Sequence, residues 1–207
     1  TTGWNRGTQM IRQTGSSMKP IADVAPGLEE KVITAATIYD DRKTDFNGYP
    51  PGNHNGEKGL INIRSCIRTS QNIPMVKIMR EMTPAKAIEY LEKMGITTLD
   101  KEKDNALPLS IGGLTKGISP LEMAGAYAAI ANDGVYITPI FYTKGVDKDG
   151  NTVLTSAQEK TKVISEQNAY LTRSITMEPV KSGGTATYCA IPGMETCAKT
   201  GSTDKYV

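Results

Sequence analysis

Apolar residues recur at helical spacing in four stretches, and residues with special end-capping properties mark where these begin and stop. Thr83 and Pro84 open one stretch, Ala87, Ile88, Leu91 and Met94 form its apolar stripe, and Gly95 ends it. Ser119, Pro120, Leu121 and Glu122 make a capping box with proline at the first helical position, which predicts a helix through Ala131 stopped by Gly134. That helix, PLEMAGAYAAIAN, is small and apolar on most faces, so burial is expected. Ser165 caps a third helix from about residue 166 to 177, and a fourth begins at Pro74 after SQNI. Strand signals are weaker. Residues 135–142 are rich in β-branched and aromatic side chains, but Pro139 makes them an edge or broken strand, and residues 195–202 are a second candidate. Residues 40–59, DDRKTDFNGYPPGNHNGEKG, read as a long surface loop. Helices outnumber strands and no βαβ alternation appears, which points to an α+β or mostly helical chain.

Composition narrows the classes of function. The 207 residues suffice for one domain with a core, with room for a small subdomain. A net charge of +2, with lysines spread along the chain, gives nucleic acid no claim as a partner. No apolar run approaches the length of a membrane span, and no signal peptide opens the chain. Cys66, Cys189 and Cys197 lack any CxxC spacing and the single histidine, His54, sits in the Gly/Asn/Pro-rich loop, so no metal site is expected and no cofactor motif is present. His54 would have to be the base of any Ser-His or Cys-His pair, and nothing around it suggests ordered burial. Cys189 and Cys197 flank an Ile-Pro-Gly turn, either as reduced packed thiols or facing each other across a hairpin.

The candidate chemistry lies in three short motifs. In QTGSSMKP, residues 13–20, helical spacing sets the Ser16 hydroxyl and the Lys19 amine on one face and turns Ser17 elsewhere, the geometry of a lysine-activated serine. Gly15 puts Ser16 at a helix start, where free N–H groups favour developing negative charge. A second Ser-x-x-Lys, Ser202 to Lys205, shows that this pattern alone arises by chance. Ser70-Gln71-Asn72, just before the Pro74 helix, is either a helix N-cap or a hydroxyl and an amide aimed at one point. In Lys199-Thr200-Gly201-Ser202, strand alternation puts Lys199 and Gly201 on one face and Thr200 and Ser202 on the other, offering a cation and hydroxyls to a carboxylate and close approach at the glycine. Lys181-Ser182-Gly183 has the same form but follows a helix and runs into Gly184, so it reads as a helix end and turn.

Ser-x-x-Lys, Ser-x-Asn and Lys-Thr-Gly in this order, with the flanking blocks RQTGSSMKP, IRTSQNIP, LSIGGLTKGISPLEMAGAYAAIANDG, SGGTA and AKTGST, resemble the transpeptidase domain of class A, bifunctional penicillin-binding proteins. The resemblance covers nearly the whole chain, from Asn5 to Ser202. It implies the penicillin-binding protein/serine β-lactamase-like fold: an antiparallel sheet with helices on both sides plus a helical subdomain, of which this chain holds mainly the helical part and the Lys-Thr-Gly strand. It further implies a peptidoglycan D,D-transpeptidase, acting on stem peptides and inhibited by β-lactam antibiotics, at the extracytoplasmic face of a bacterial cell membrane. Ser16 would be the nucleophile and Lys19 its activator, Ser70 and Asn72 the proton relay and substrate-amide contact, and Lys199, Thr200, Gly201 and Ser202 the carboxylate-binding strand. The backbone N–H groups of Ser16 and Ser202 would form the oxyanion hole, so Ser202 and Ala198, where the family more often has threonine and glycine, should be tolerated.

The family's sheet also has two strands before the nucleophile and two after the Lys-Thr-Gly strand, and such proteins carry a glycosyltransferase domain and an anchor. Residues 1–207 are therefore expected to be an incomplete transpeptidase domain whose sheet other segments of the same protein complete. The rival readings are a D-alanyl-D-alanine carboxypeptidase, a non-catalytic β-lactam or peptide sensor, and a β-lactamase. The last needs an additional deacylating glutamate, and Glu166 reads instead as the first turn of a helix.

Overall fold

Pro20 shapes the central helix. The computed structural model describes residues 3–203. In it the chain passes through a 3-10 turn, Gly15–Met18, into a π-helical turn, Pro20–Val24, before α1 (Ala25–Glu29). Pro20 has no N–H to donate, so the Ser16 carbonyl takes the Lys19 N–H and the Ala25 N–H reaches back to the Pro20 carbonyl. The widened turn keeps the helix continuous past a residue that would break an ordinary one.

Residues 15–29 run through the middle of the apolar core. Met18, Ile21, Ala22 and Ala25 pack with Met79, Leu91, Leu109, Ala126 and Ile164, and Val24 belongs to a second cluster with Ile63, Ile67, Ile78 and Ile175. Each such side chain contributes at most about 1.5–3 kcal/mol on burial, a reserve that offsets the polar groups buried on the same helix.

The loop after α1 leads through the antiparallel pair β1 (Ile38–Asp40) and β2 (Leu60–Asn62), with Tyr39 opposite Ile61, into α2 (Ile63–Thr69). Asn62 caps α2 by accepting from the Ser65 N–H. α3 (Ile73–Met82) follows after three residues, starting one residue before Pro74. α4 (Pro84–Lys93) and α5 (Pro120–Ala131) have the expected N-caps, Thr83 and Ser119, and α6 (Glu166–Thr176) has Ser165. α5 is only half buried. Gly125, Ala126, Ala129 and Ile130 pack inward while Ala124 and Ala128 are exposed, because alanines read as core in a sequence yet cost little at a surface.

Strand structure is sparse and antiparallel. β3 (Val135–Ile137) pairs with β6 (Lys160–Lys162), and β4 (Lys144–Val146) pairs with β5 (Thr152–Thr155). β3 stops two residues short of Pro139, where the candidate strand was broken by its own sequence. Residues 195–202 form no ladder among the described residues, since an extended segment counts as a strand only beside a partner. The 40–59 loop departs from the expected surface excursion, because Asp41, Phe46 and Pro51 are buried beneath it. No helix among the described residues is long and apolar enough to cross a membrane.

The capping box at α5 closes both ways. The Glu122 N–H bonds the Ser119 hydroxyl at 3.3 Å, and Glu122 Oε2 accepts from the Ser119 N–H at 2.9 Å. Glu122 also accepts from the Thr97 N–H and hydroxyl, tying α5 to the end of α4. Ser119→Ala should therefore lower unfolding free energy by about 1 kcal/mol, read as a lower urea midpoint with unchanged m, and an unshifted midpoint would contradict the cap's role.

Candidate active site

Gly15 opens the site. Its φ is +54°, and a Cβ there would run into the Ser202 carbonyl, so the turn before Ser16 and the Lys-Thr-Gly segment lie backbone against backbone. Gly201 meets the same constraint from the other side, since a Cβ would collide with the Thr14 carbonyl. The close approach expected at Gly201 is thus made by the chain's own residue 14 rather than left wholly to a substrate.

Ser16 stands in the first turn of its helix, partly exposed, and lines a cleft of about 890 Å³ together with Gly15, Asn72, Ser202 and Thr203. Its hydroxyl makes no hydrogen bond among the described residues, and neither does the Ser202 N–H. Ser17 does turn elsewhere: its hydroxyl donates to the Thr14 carbonyl at 2.7 Å, and its own carbonyl accepts from the Tyr127 phenol at 2.7 Å.

Lys19 is fully buried. Its amine donates to the Ser70 carbonyl at 2.8 Å, to the Asn72 Oδ1 at 2.7 Å and, more weakly, to the Ser70 hydroxyl at 3.3 Å. The Lys199 amine, half-buried, donates to the same Ser70 hydroxyl at 2.8 Å and to the Thr200 carbonyl at 2.9 Å. One hydroxyl is thus shared by two amines, and two ammonium groups so close in a dry site oppose one another. Burial first, and then the charge of Lys199, lower the pKa of Lys19 to about 7, and burial lowers that of Lys199 to about 8. The expected direct pairing of Ser16 with Lys19 is replaced at rest by this cluster, in which Lys19 faces Ser70 and Asn72.

Ser70 takes no part in capping α3. It ends α2 in a left-handed conformation, φ +59° and ψ +38°, which costs a non-glycine residue about 1–2 kcal/mol and aims its hydroxyl and carbonyl at both lysines. Asn72 precedes α3 without a side-chain cap, its amide being held between the Lys19 amine and the Gly52 carbonyl, 2.5 Å from Nδ2. The N-cap alternative for Ser70-Gln71-Asn72 is therefore set aside by the geometry.

Two of the four supporting residues, Asp41 and Asn53, come from the loop read as mere surface. Asn53 Oδ1 accepts from the Asn72 N–H at 2.7 Å, and its Nδ2 donates to Asp41 at 2.8 Å. Buried Asp41 also takes Gln71 Nε2 at 2.5 Å and the Lys58 N–H at 2.9 Å, so one carboxylate organises the loop under the Ser70–Asn72 corner. Gln13, beside the first motif, exchanges hydrogen bonds with both backbone groups of Leu114. Thr185, from SGGTA, bonds the Thr200 hydroxyl at 2.9 Å. Nothing in the residue types of these four distinguishes them from ordinary turn and surface polar groups.

Behind Lys19, one helical turn on, Asp23 is fully buried beside the Ser110 hydroxyl, with no well-formed hydrogen bond between them. Burial pushes the Asp23 carboxyl well above the usual range, with the Ser110 hydroxyl and the Lys19 charge pulling it back, while burial and Lys199 outweigh its own pull on the Lys19 amine. Lys181-Ser182-Gly183 forms a turn after α6, with the Ser182 carbonyl accepting from Arg68, and stands apart from the cluster. Lys205 lies outside the described residues. Cys66 is buried near Lys19, while Cys189 is partly buried and Cys197 exposed, all as free thiols. His54 is exposed in its loop.

The chain is similar to known proteins in sequence and in fold. A family profile described as "Penicillin binding protein transpeptidase domain" matches residues 3–207. Penicillin-binding protein 1F of Bacillus subtilis is 34% identical over 202 residues, 97% of this chain and 27% of the relative. Penicillin-binding protein 1A of Clostridium acetobutylicum is 32% identical over 203 residues, 93% of this chain and 25% of the relative. The chain thus spans about a quarter of the length of these curated relatives. The solved D,D-transpeptidase domain of a peptidoglycan glycosyltransferase from Eggerthella lenta superposes with a TM-score of 0.82 at 22% identity, over 98% of this chain and 56% of that one, which shows the fold. Helices and antiparallel strands of this fold, the profile match and the relatives converge: the chain belongs to the penicillin-binding protein transpeptidase domain family.

Proposed function

We propose that this chain performs serine acyl transfer on peptidoglycan stem peptides ending in D-Ala-D-Ala, the cross-linking step of a D,D-transpeptidase. The observation that carries the reading is the Ser70 hydroxyl held between Lys19 and Lys199, with an unbonded Ser16 hydroxyl lining the same cleft as Asn72, which also holds the Lys19 amine. Ser16 Oγ attacks the carbonyl of the penultimate D-Ala and its proton goes to the neutral Lys19 amine. The tetrahedral oxyanion is met by the N–H groups of Ser16 and Ser202, worth about 100- to 1,000-fold in rate per donor in other acyl-transfer enzymes. The departing D-Ala nitrogen takes a proton from the Ser70 hydroxyl, which the buried lysine replaces, and the C–N bond breaks. An acceptor amine then attacks the ester, giving its proton back through the same groups and freeing Ser16. Lys199, as the ammonium, and the Thr200 and Ser202 hydroxyls are assigned to the terminal carboxylate.

The cleft favours a lasting acyl-enzyme with β-lactams. The carboxylate lining it among the described residues is Asp104, and its oxygens are taken by the Thr115 N–H at 2.7 Å, the Thr115 hydroxyl at 2.6 Å and the Asp100 N–H at 2.9 Å. Glu166 is exposed at the start of α6. Neither is available to activate a deacylating water, which argues against the β-lactamase reading. We assign the domain to the extracytoplasmic face of a bacterial membrane, with other segments of the same protein completing its sheet.

Ser16→Ala should abolish covalent labelling by a fluorescent penicillin, whereas Ser17→Ala should retain it, and unchanged labelling of Ser16→Ala would overturn the assignment. Incubating the acyl-enzyme from a stem-peptide thioester with an amine acceptor should yield amide product, and hydrolysis alone would mark a carboxypeptidase. The pH dependence follows from the two amines. Acylation should rise as pH climbs through about 7, where Lys19 loses its proton, and fall above about 8, where Lys199 loses its charge. A pH–rate profile flat from pH 6 to 9 would contradict these roles, the window being about one unit either side of the two values.

A further inference from the structure

The cleft that begins at Ser16 extends well past the catalytic cluster. Its walls are residues 11–16 on one side and residues 103–116 on the other, with Tyr49 and Ile111 supplying apolar surface. At about 890 Å³ it is near the upper end of the range for drug-sized ligands, about 300–1,000 Å³, and holds far more than a terminal dipeptide.

Three cations line this space: Arg12, Lys103 and Lys116. Asp104, the carboxylate that also lines it, is spent on Thr115 and Asp100 as described, and points its charge into its own loop. Lys103 has a loose partner in Asp100 at 3.6 Å. Arg12 and Lys116 are both exposed and form no ion pair among the described residues. Their backbones are fixed. Arg12 exchanges two hydrogen bonds with Ile118, at 3.1 Å and 2.9 Å, a Cβ at Gly117 would run into Arg12, and Gln13 ties the same strand to Leu114. Charges carried on backbone that is already ordered attract an anion with little further loss of entropy.

Resting on the reading of Ser16 as the acyl acceptor, we propose that Arg12 and Lys116, with Lys103 at the edge, form a second anion subsite in this cleft. It takes a carboxylate carried within the peptide, upstream of the one bound by Lys199. That carboxylate has two possible sources, the donor peptide acylating Ser16 or the acceptor peptide attacking the ester, and the chemistry of recognition is the same for both.

The test uses the intact protein and peptides that are identical except for one acidic residue, present as its carboxylate or as its amide. Active sites in each preparation are first counted by burst titration with penicillin. An untitratable preparation would refute the Ser16 reading itself, separately from the subsite. Acylation is then timed with donor peptides alone, and aminolysis of a common acyl-enzyme with acceptor peptides. The carboxylate form should be preferred about three- to tenfold at low salt, as expected for two solvent-accessible ion pairs. The step showing the preference identifies the donor or the acceptor as its source. In R12Q/K116Q, and in wild type at high ionic strength, the preference should fall to about one. Equal rates for carboxylate and amide peptides in both steps, or a preference that survives R12Q/K116Q, would overturn the subsite.

Discussion

A primary amine without solvent contact governs this molecule. Lys19 is fully buried, and its hydrogen-bond partners are neutral oxygens, two from Ser70 and one from Asn72. An ammonium would lose far more hydration there than three such bonds return, with Lys199 adding repulsion, so the amine approaches neutrality near physiological pH. A neutral amine is a base, and in the proposed function it is this base, one turn from the free Ser16 hydroxyl, that would take the serine's proton.

The rest of the fold is arranged around keeping that amine dry and aimed. The 3-10 turn ending at Met18 and the π-helical turn starting at Pro20 carry Met18, Ile21 and Ala22 into the core on either side of Lys19, whose side chain is fully buried. The acceptors come from a separate corner, Ser70 to Asn72, which begins with left-handed Ser70 and is braced by Asn53 and Asp41 from the 40–59 loop. The second amine arrives from residue 199, and the glycine contacts between Gly15, Ser202, Thr14 and Gly201 set its distance. Burial disfavours the charged form of Asp23, and burial together with Lys199 outweighs its pull on the Lys19 amine.

Much of this was legible in the residues. The helix ends at Thr83, Ser119 and Ser165 follow from local capping chemistry, and the structure has them where the sequence puts them. The three motifs were findable because their order and flanks together are rare, and the structure gathers Lys19, Ser70, Asn72 and Lys199 into one hydrogen-bonded cluster beside Ser16 and Ser202. Less legible were features that depend on distant partners. Asn53 and Asp41 look like turn residues until Asn72 and Gln71 are folded onto them. Residues 195–202 have strand composition but no ladder among the described residues, and α5 keeps an alanine face exposed because alanine is at home on either side of a surface. The resting geometry also differs from the simplest helical picture, since Lys19 turns toward Ser70 and Asn72 rather than bonding Ser16.

The central claim is that Lys19 is a neutral base in the folded protein. The most direct measurement is titration of its ε-carbon resonance by NMR, with selectively labelled lysine and Lys19→Arg for assignment. A midpoint near 7, rising when Lys199→Gln removes the neighbouring charge, is the predicted result. A midpoint close to the ordinary lysine value of about 10.4 would contradict it, because an ammonium through the whole neutral range could not accept the Ser16 proton.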